Sequence, residues 1–597
     1  MKKKILKLRY LFTRKEKIQL VFILMALIFG SFLEILGLGA VPLLVLAVSD
    51  PTKLFNHEVA GPILQQLGVG TQRDLLFAGA GFLIGIFLIK NAYLVVLNYF
   101  KLKFVFNKQV DLSTRLFKSY MNADYVFHLN RNSAELLRNT HAECNAVIQQ
   151  VLLPVLTIIM ECVMALAILI VLIVAEPIIS IATFGFIVLS SITLLFFTQK
   201  RMSYYGSMEV RLRKEKNKTV LQSLNAIKEI IVLGRRNFFI SEFKTQAEQS
   251  STALRFKNFI SSIPKPFIET IAVAGIFLIV ILMVSMGRAM NEVIPLLALF
   301  GAAAIRFMPI FSSLVNSFNM LKFGVHSIDP VVDDLIALEN IKKHEERNTS
   351  KELITLQKNI VFEGIDFSYP GSDKRALKNL STEIKKGEII GLVGSSGAGK
   401  TTLVDLFLGV LKPTKGKILV DGKDIWTNIN SWQQKIGYVP QGIKLIDDTV
   451  GNNIAVGISE KDIDLDRIVE VAKMANLHEF VETLDDKYNT VIGENGVMFS
   501  GGQRQRIGIA RALYHEPEVL VLDEATSALD NITEKIITEA INMLRDELTI
   551  VVIAHRLTTI KDSDRIYLIK NGKLKAEGTY QELIKKDLEF NKMSLNN

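Results

Sequence analysis

Cysteine is nearly absent. The 597 residues carry two, Cys144 and Cys162, the second inside a long apolar run; this excludes a disulfide framework and leaves both as packing residues. No small-residue cleavage site ends the apolar segment after Met1-Lys2-Lys3-Lys4, and that segment is longer than a signal core, so it reads as a retained span. An acidic surplus is also missing: Lys and Arg number 70 against 60 Asp and Glu, a net charge of +10. With 49% hydrophobic residues, this balance points to basic loops of a membrane protein and away from a nucleic-acid partner. The length predicts two to four domains.

The N-terminal half holds the long apolar runs. Ile18 to Val48 exceeds the roughly 20 residues a bilayer core requires. Further spans are predicted over Leu75 to Leu97, Val151 to Val174, Ile178 to Phe197, Phe267 to Met286, and Ile294 to Leu314 or slightly beyond. Asp50 to Arg73 reads either as a short amphipathic helix at the far membrane surface or as a solvated loop. The connections Lys101 to Gln150 and Gln199 to Lys265 are long, basic and helical in pattern, which places them and both termini in the cytoplasm. Each is expected to contain a short transverse helix, Ala123 to His128 in the first and Asn225 to Leu233 in the second. Four charged residues fall inside spans, Glu34, Lys90, Glu161 and Arg306, and such residues are functional candidates because insertion is costly. Lys90 and Arg306 are assigned either to a cavity for an anionic group or to intramembrane ion pairs with Glu34 or Glu161. The polar stretch after Leu321, with the charged run Lys342 to Ser350, reads as a linker over residues 323–358, which follows a cytoplasmic segment 1–17 and a membrane domain 18–322.

Residues 359–597 have the texture of a soluble α/β domain. Gly394-Ser395-Ser396-Gly397-Ala398-Gly399-Lys400-Thr401-Thr402 lies between an apolar strand and an amphipathic helix. Such a turn aims backbone N–H groups and a positive helix end at a polyphosphate, with Lys400 on the β- and γ-phosphates and Thr401 on Mg²⁺. Tyr369 is placed to stack on a base. Ile436 to Gln441 is a strand ending in a glutamine suited to Mg²⁺ or to the attacking water. Ser500-Gly501-Gly502-Gln503 opens a helix and forms a second anion site, suited to the γ-phosphate bound by another copy. Val519 to Leu522 is a buried strand ending in Asp523, for Mg²⁺, and Glu524, which polarises the attacking water. Ile550 to His555 is another buried strand, delivering a histidine suited to the γ-phosphate.

These motifs in this order resemble the ATP-binding-cassette family over nearly the whole chain: Gly394 to Thr402 as Walker A, Gln441 as Q-loop, Ser500 to Gln503 as signature, Val519 to Asp523 with Glu524 as Walker B, and His555 as switch histidine. Phe499 stands where the family usually has leucine, an apolar exchange expected to be tolerated. Thr490 to Gly496 looks like the loop that in exporters communicates with the membrane domain. The resemblance implies a type IV exporter half-transporter: six transmembrane helices with long cytoplasmic extensions, fused to an α/β P-loop ATPase domain. It also implies ATP and Mg²⁺ as cofactors, a second copy as partner, and a place in the inner or plasma membrane. Phe82 to Asn91 and Ala304 to Pro309 are similar to the PglK-type lipid-linked oligosaccharide flippases, in which basic cavity residues meet a pyrophosphate. A second arginine of that family falls at Ser313 here. An anionic lipid-linked substrate is therefore expected, with a drug, peptide or other lipid exporter as the alternative. Intact catalytic residues and the lack of a regulatory insertion argue against a channel or sensor.

Overall fold

The computed structural model describes residues 4, 7–49, 51–55, 62, 66, 69–285, 290–345, 352–493, 496–523, 539, 544–545, 547–554 and 556–595. They form two compact units. The first comprises Met1–Ala123 and Asn130–Ile341; the second comprises Lys342–Asn597 together with Asp124–Leu129.

Six helices of the first unit are long and apolar enough to cross a membrane: Arg14–Val41, Gln72–Met121, Ser133–Ala175, Pro177–Asn225, Arg236–Ile281 and Leu296–Glu339. All six predicted spans fall on them. We name the helical elements used below α1 (Arg14–Ser49), α2 (Gln72–Met121), α3 (Leu153–Ala175), α4 (Pro177–Asn225) and α5 (Met290–Gly324). At 50 and 49 residues, α2 and α4 run about 75 Å, more than twice a hydrocarbon core, so each continues far past the membrane. Two glycines let backbones touch outside the span. A Cβ on Gly206 of α4 would lie 2.1 Å from the Phe323 carbonyl oxygen, and one on Gly324 would lie 2.4 Å from Gln150 Cβ.

One expectation changes here, and one is covered in part. Residues 323–358 were expected to be linker, yet the helix Ile328–Glu345 fills most of that stretch, with Ile328, Val331, Val332 and Leu335 fully buried. Apolar residues at helical spacing hide behind the polar composition of that segment. Asp50 to Arg73 falls mostly outside the described residues; within it, Pro51–Phe55 is helical and Leu54 packs with Ala47, Val69 and Leu75.

The transverse segments are helical at Tyr125–Leu129 and Ile227–Val232. The first belongs to the second unit, where Val126 packs against the core.

That core lies on both faces of a six-stranded sheet. Its order is β10-β9-β3-β8-β7-β6, formed by β3 (Ile389–Val393), β6 (Ile436–Val439), β7 (Val519–Asp523), β8 (Thr549–Ile553), β9 (Arg565–Lys570) and β10 (Lys573–Gly578). β9, β3, β8, β7 and β6 pair in parallel, and β10 is antiparallel to β9. Alternate residues serve opposite cores, as a two-residue strand period requires: Leu520 and Leu522 on one face, Val519 and Val521 on the other. An antiparallel sheet of order β2-β1-β4-β5 stands beside it, from β1 (Asn359–Ser368), β2 (Arg375–Lys385), β4 (Lys415–Val420) and β5 (Lys423–Asp424). Asp421, after β4, accepts hydrogen bonds from the backbone N–H groups of Gln357, Lys358 and Asn359, which hold its carboxyl below the usual range and pin the entry to β1.

Trp432 is fully buried, edge-on to Phe407, and donates its indole N–H to the Phe407 carbonyl at 2.7 Å. Replacing it by alanine opens a cavity and orphans that carbonyl, so Trp432→Ala should destabilise the second unit by about 3–5 kcal/mol. The chain's two tryptophans, Trp426 and Trp432, are both in this unit, so Trp426 fluorescence during thermal unfolding reads the loss directly.

Candidate functional site

Four motif-bearing segments leave the same edge of the parallel sheet. The glycine-rich loop follows β3, Gln441 follows β6, Asp523 ends β7, and the turn to Arg556 follows β8. The carboxyl edge of an open parallel sheet is where ligands bind, because loops there converge and helix N-termini point inward.

In the loop, Gly397 and Gly399 have φ of +75° and +109°, conformations that favour glycine. A Cβ on Gly394 would strike the Ile569 carbonyl oxygen at 2.2 Å. The loop opens α6 (Lys400–Phe407), whose first-turn N–H groups have no partner within the helix. Lys400 is 6% exposed, and its ammonium donates to the carbonyls of Gly394 at 2.7 Å and Ser395 at 3.3 Å, which centres it in the loop. Ala398 is buried and ties the loop at both ends, its N–H to the Ser395 carbonyl and its carbonyl to the Gly572 N–H. Ser396 and Thr401 are exposed, whereas Thr402 is buried and shares a hydrogen bond of 3.0 Å with the Tyr369 hydroxyl. Tyr369, expected as a base-stacking ring, is also edge-on to Phe367 at 5.0 Å and so braces the start of α6.

Asp523 is 8% exposed at the end of β7, 3.5 Å from the Tyr438 hydroxyl. Asp405 of α6 is half-buried nearby, and desolvation together with the charge of Asp523 pushes its carboxyl up to about 6. The same carboxylates and burial raise the Tyr438 phenol. Sequence reading missed Asp405 and Tyr438; the available signal was a carboxylate interrupting the apolar face of α6. A pair of mutually repelling carboxylates at a polyphosphate loop suits Mg²⁺, which binds through one or two carboxylates plus phosphate oxygens rather than an all-protein cage. The described residues contain no cluster of three or more His, Cys, Asp or Glu that would form such a cage.

The signature opens α7 (Gly501–Tyr514). Ser500 and Gln503 form a capping box: the Ser500 hydroxyl accepts from the Gln503 N–H, and the Gln503 side chain accepts from the Ser500 N–H. The N–H groups of Gly501 and Gly502 stay available at the helix end. Phe499 is 6% exposed and edge-on to Phe480, so the residue in the leucine position is a seated core side chain. Gln441 is exposed after β6. Glu524 and His555, and Glu494 and Asn495 within Thr490 to Gly496, lie outside the described residues.

In the first unit the structure brings Lys90 and Arg306 together around one carboxylate. Glu34 of α1 meets Lys90 Nζ of α2 at 3.1 Å and Arg306 Nε of α5 at 2.7 Å. Glu34 and Lys90 are each 1% exposed, whereas Arg306 is 32% exposed. Lys90 Nζ lies 4.0 Å from the centre of the Phe87 ring. Glu161 is buried apart from the trio, facing Ser313 and Lys101.

If Lys400 anchors a polyphosphate, Lys400→Met should weaken binding of a fluorescent ATP analogue more than tenfold. The tryptophan-monitored unfolding midpoint of the unliganded protein should move little, which separates loss of the anchor from loss of the fold.

Residues 46–305 match the family pattern described as the ABC transporter transmembrane region, and residues 377–527 match that described as ABC transporter. The heterocyst differentiation ATP-binding protein HepA of a Nostoc species is 35% identical over 366 residues, 61% of this chain and 59% of that protein. The ATP-dependent lipid A-core flippase of Francisella novicida is 41% identical over 241 residues, 40% of each chain. The leukotoxin translocation ATP-binding protein LktB of Mannheimia glucosida is 42% identical over 230 residues, 38% of this chain and 32% of that one. This chain thus spans from about a third to about three fifths of the length of these three relatives. A solved structure of a bacterial Atm1-family ABC exporter with ATP bound superposes with a TM-score of 0.73 at 21% identity, over 98% of both chains, which shows a shared fold. With a transmembrane-region match over six membrane-length helices and a cassette match over the loops at the sheet edge, the chain belongs to the ABC transporter family.

Proposed function

We propose that the chain is an ATP-driven exporter that works as two copies and moves a lipid carrying a phosphate or pyrophosphate-linked head group, of the lipid-linked oligosaccharide type, across the membrane. The observation that carries the ATPase part is the convergence of the glycine-rich loop, Asp523 and Gln441 on one sheet edge. Lys400 and the N–H groups of the loop and of α6 hold and orient the phosphates. Thr401 and Asp523 would hold Mg²⁺, which when bound spreads the charge of the phosphate oxygens. Glu524, directly after Asp523, takes the proton of the attacking water, and His555 orients the γ-phosphate. Displacement is in line and rests on positioning and charge.

Two features favour a second copy. The Ser500 helix end offers N–H groups to a phosphate that its own loop does not need. The transverse helix Ile227–Val232 leaves Ile231, Val232 and Leu233 at 45, 78 and 70% exposed, an apolar tip that needs a partner surface. The basic long connections favour a cytoplasmic position for the termini and the cassette.

The anionic part of the reading rests on Arg306, a partly exposed cation inside a span. A second reading, export of an apolar drug or peptide, is favoured by an almost wholly apolar cavity of about 310 Å³ lined by Phe184, Ile187, Ala272, Phe300 and Phe307.

In proteoliposomes, wild type should hydrolyse ATP and flip a fluorescent polyprenyl-pyrophosphate oligosaccharide. Glu524→Gln should retain ATP binding, with hydrolysis down at least a hundredfold; normal turnover in that variant refutes Glu524 as the base. Arg306→Ala should hydrolyse ATP without moving the lipid. Hydrolysis by wild type with no lipid movement assigns the chain to the second reading.

A further inference from the structure

The trio in the first unit carries more charge than it cancels. Two cations, buried Lys90 and partly exposed Arg306, share one buried carboxylate, Glu34, which leaves one positive charge in excess where three helices meet. Both Glu34 oxygens and Lys90 Nζ are buried without an aligned hydrogen bond among the described residues, so charge rather than directed bonding holds the cluster. An excess charge within a span is costly, and an arriving anion relieves it.

The two cations are not equivalent. Lys90 is sealed at 1% exposure between Glu34 and the Phe87 ring, so it has no face to offer. Arg306 is 32% exposed and engages Glu34 through Nε. A guanidinium has a fork of donors, and its two terminal nitrogens form the edge that takes a phosphate in bidentate fashion.

We infer that Glu34 is a resident counter-ion that competes with the substrate's anionic head for Arg306, while Lys90 keeps Glu34 neutralised once Arg306 has been taken over. This rests on the anionic-lipid reading above and assigns its two basic residues different roles. Arg306 touches the head group; Lys90 is a positioning residue that parks the displaced carboxylate. Added negative charge relieves that excess, so an anionic phosphate head is favoured and an uncharged head gains nothing. The arrangement also stops Arg306 from staying bare when no substrate is present.

The test is stimulation of ATP hydrolysis in proteoliposomes by polyprenyl phosphate, with uncharged polyprenol as control. Glu34→Gln should lower the half-stimulating concentration of polyprenyl phosphate about fivefold or more, since Arg306 no longer has a charged competitor. Glu34→Asp withdraws the carboxylate from Arg306 by one carbon and should shift it the same way by less; it decides the matter should the glutamine variant fail to fold. In Glu34→Gln combined with Arg306→Gln the gain should vanish, which a purely structural role for Glu34 does not predict. Wild-type stimulation with unchanged or higher half-stimulating concentrations in both Glu34 variants overturns the counter-ion role and leaves the anionic-lipid reading standing. No response to polyprenyl phosphate in wild type or in either Glu34 variant removes both.

Discussion

Parallel pairing of β3 with β8, β8 with β7 and β7 with β6 is the constraint on which the second unit depends. Because these strands run the same way, their carboxyl ends emerge together, and residues more than a hundred positions apart in sequence are delivered to one edge. β3, β7 and β8 are buried throughout, which requires apolar side chains on both faces and confines polar chemistry to the loops. Asp523 is the point where that rule gives way. It closes a fully buried strand, and its charge is felt by Asp405 and Tyr438 behind it.

The chain's plan was readable wherever the signal was long or compositionally unusual. Six apolar runs gave six membrane-length helices, and the glycine-rich loop fell between a strand and a helix as its spacing demanded. The short transverse helices were legible as breaks between long helical patterns. What was not legible depends on how helices rotate against each other. An ion pair of Lys90 and Arg306 with Glu34 was one of the two expected readings, but that one carboxylate serves both cations needs three helices in one relative orientation, which no local pattern encodes. The helix Ile328–Glu345 escaped for another reason: its charged residues dominate the composition, while a narrow apolar stripe does the packing. The contact of the Tyr369 hydroxyl with Thr402 was not legible either, because no local pattern pairs two residues 33 positions apart.

The two units handle charge differently. In the first, ionisable residues within spans are gathered so that burial and pairing nearly offset each other, at Glu34 with Lys90 and Arg306 and at Glu161 with Lys101. In the second, negative groups are held by backbone N–H groups, as at Asp421, and the phosphate loop presents the same kind of donor without a carboxylate. Side-chain counter-charges can swap partners when a helix shifts, whereas backbone donors move only with the fold. A responsive site and a fixed site follow from those two chemistries.

The contact at Gly206 has a mechanical meaning. With the α4 backbone resting on the Phe323 carbonyl, nothing softer than main chain separates the two helices, so the crossing is a hard point that neither can slide through. α4 extends roughly 45 Å from that point toward its start and roughly 30 Å toward its other end. A rigid rod held there is a lever with unequal arms. Tilting the shorter arm by about 5° displaces its tip by roughly 2.5 Å and the opposite end by roughly 4 Å in the reverse direction. A side chain at Gly206 would prise the rods apart and remove the fulcrum while leaving both helices intact.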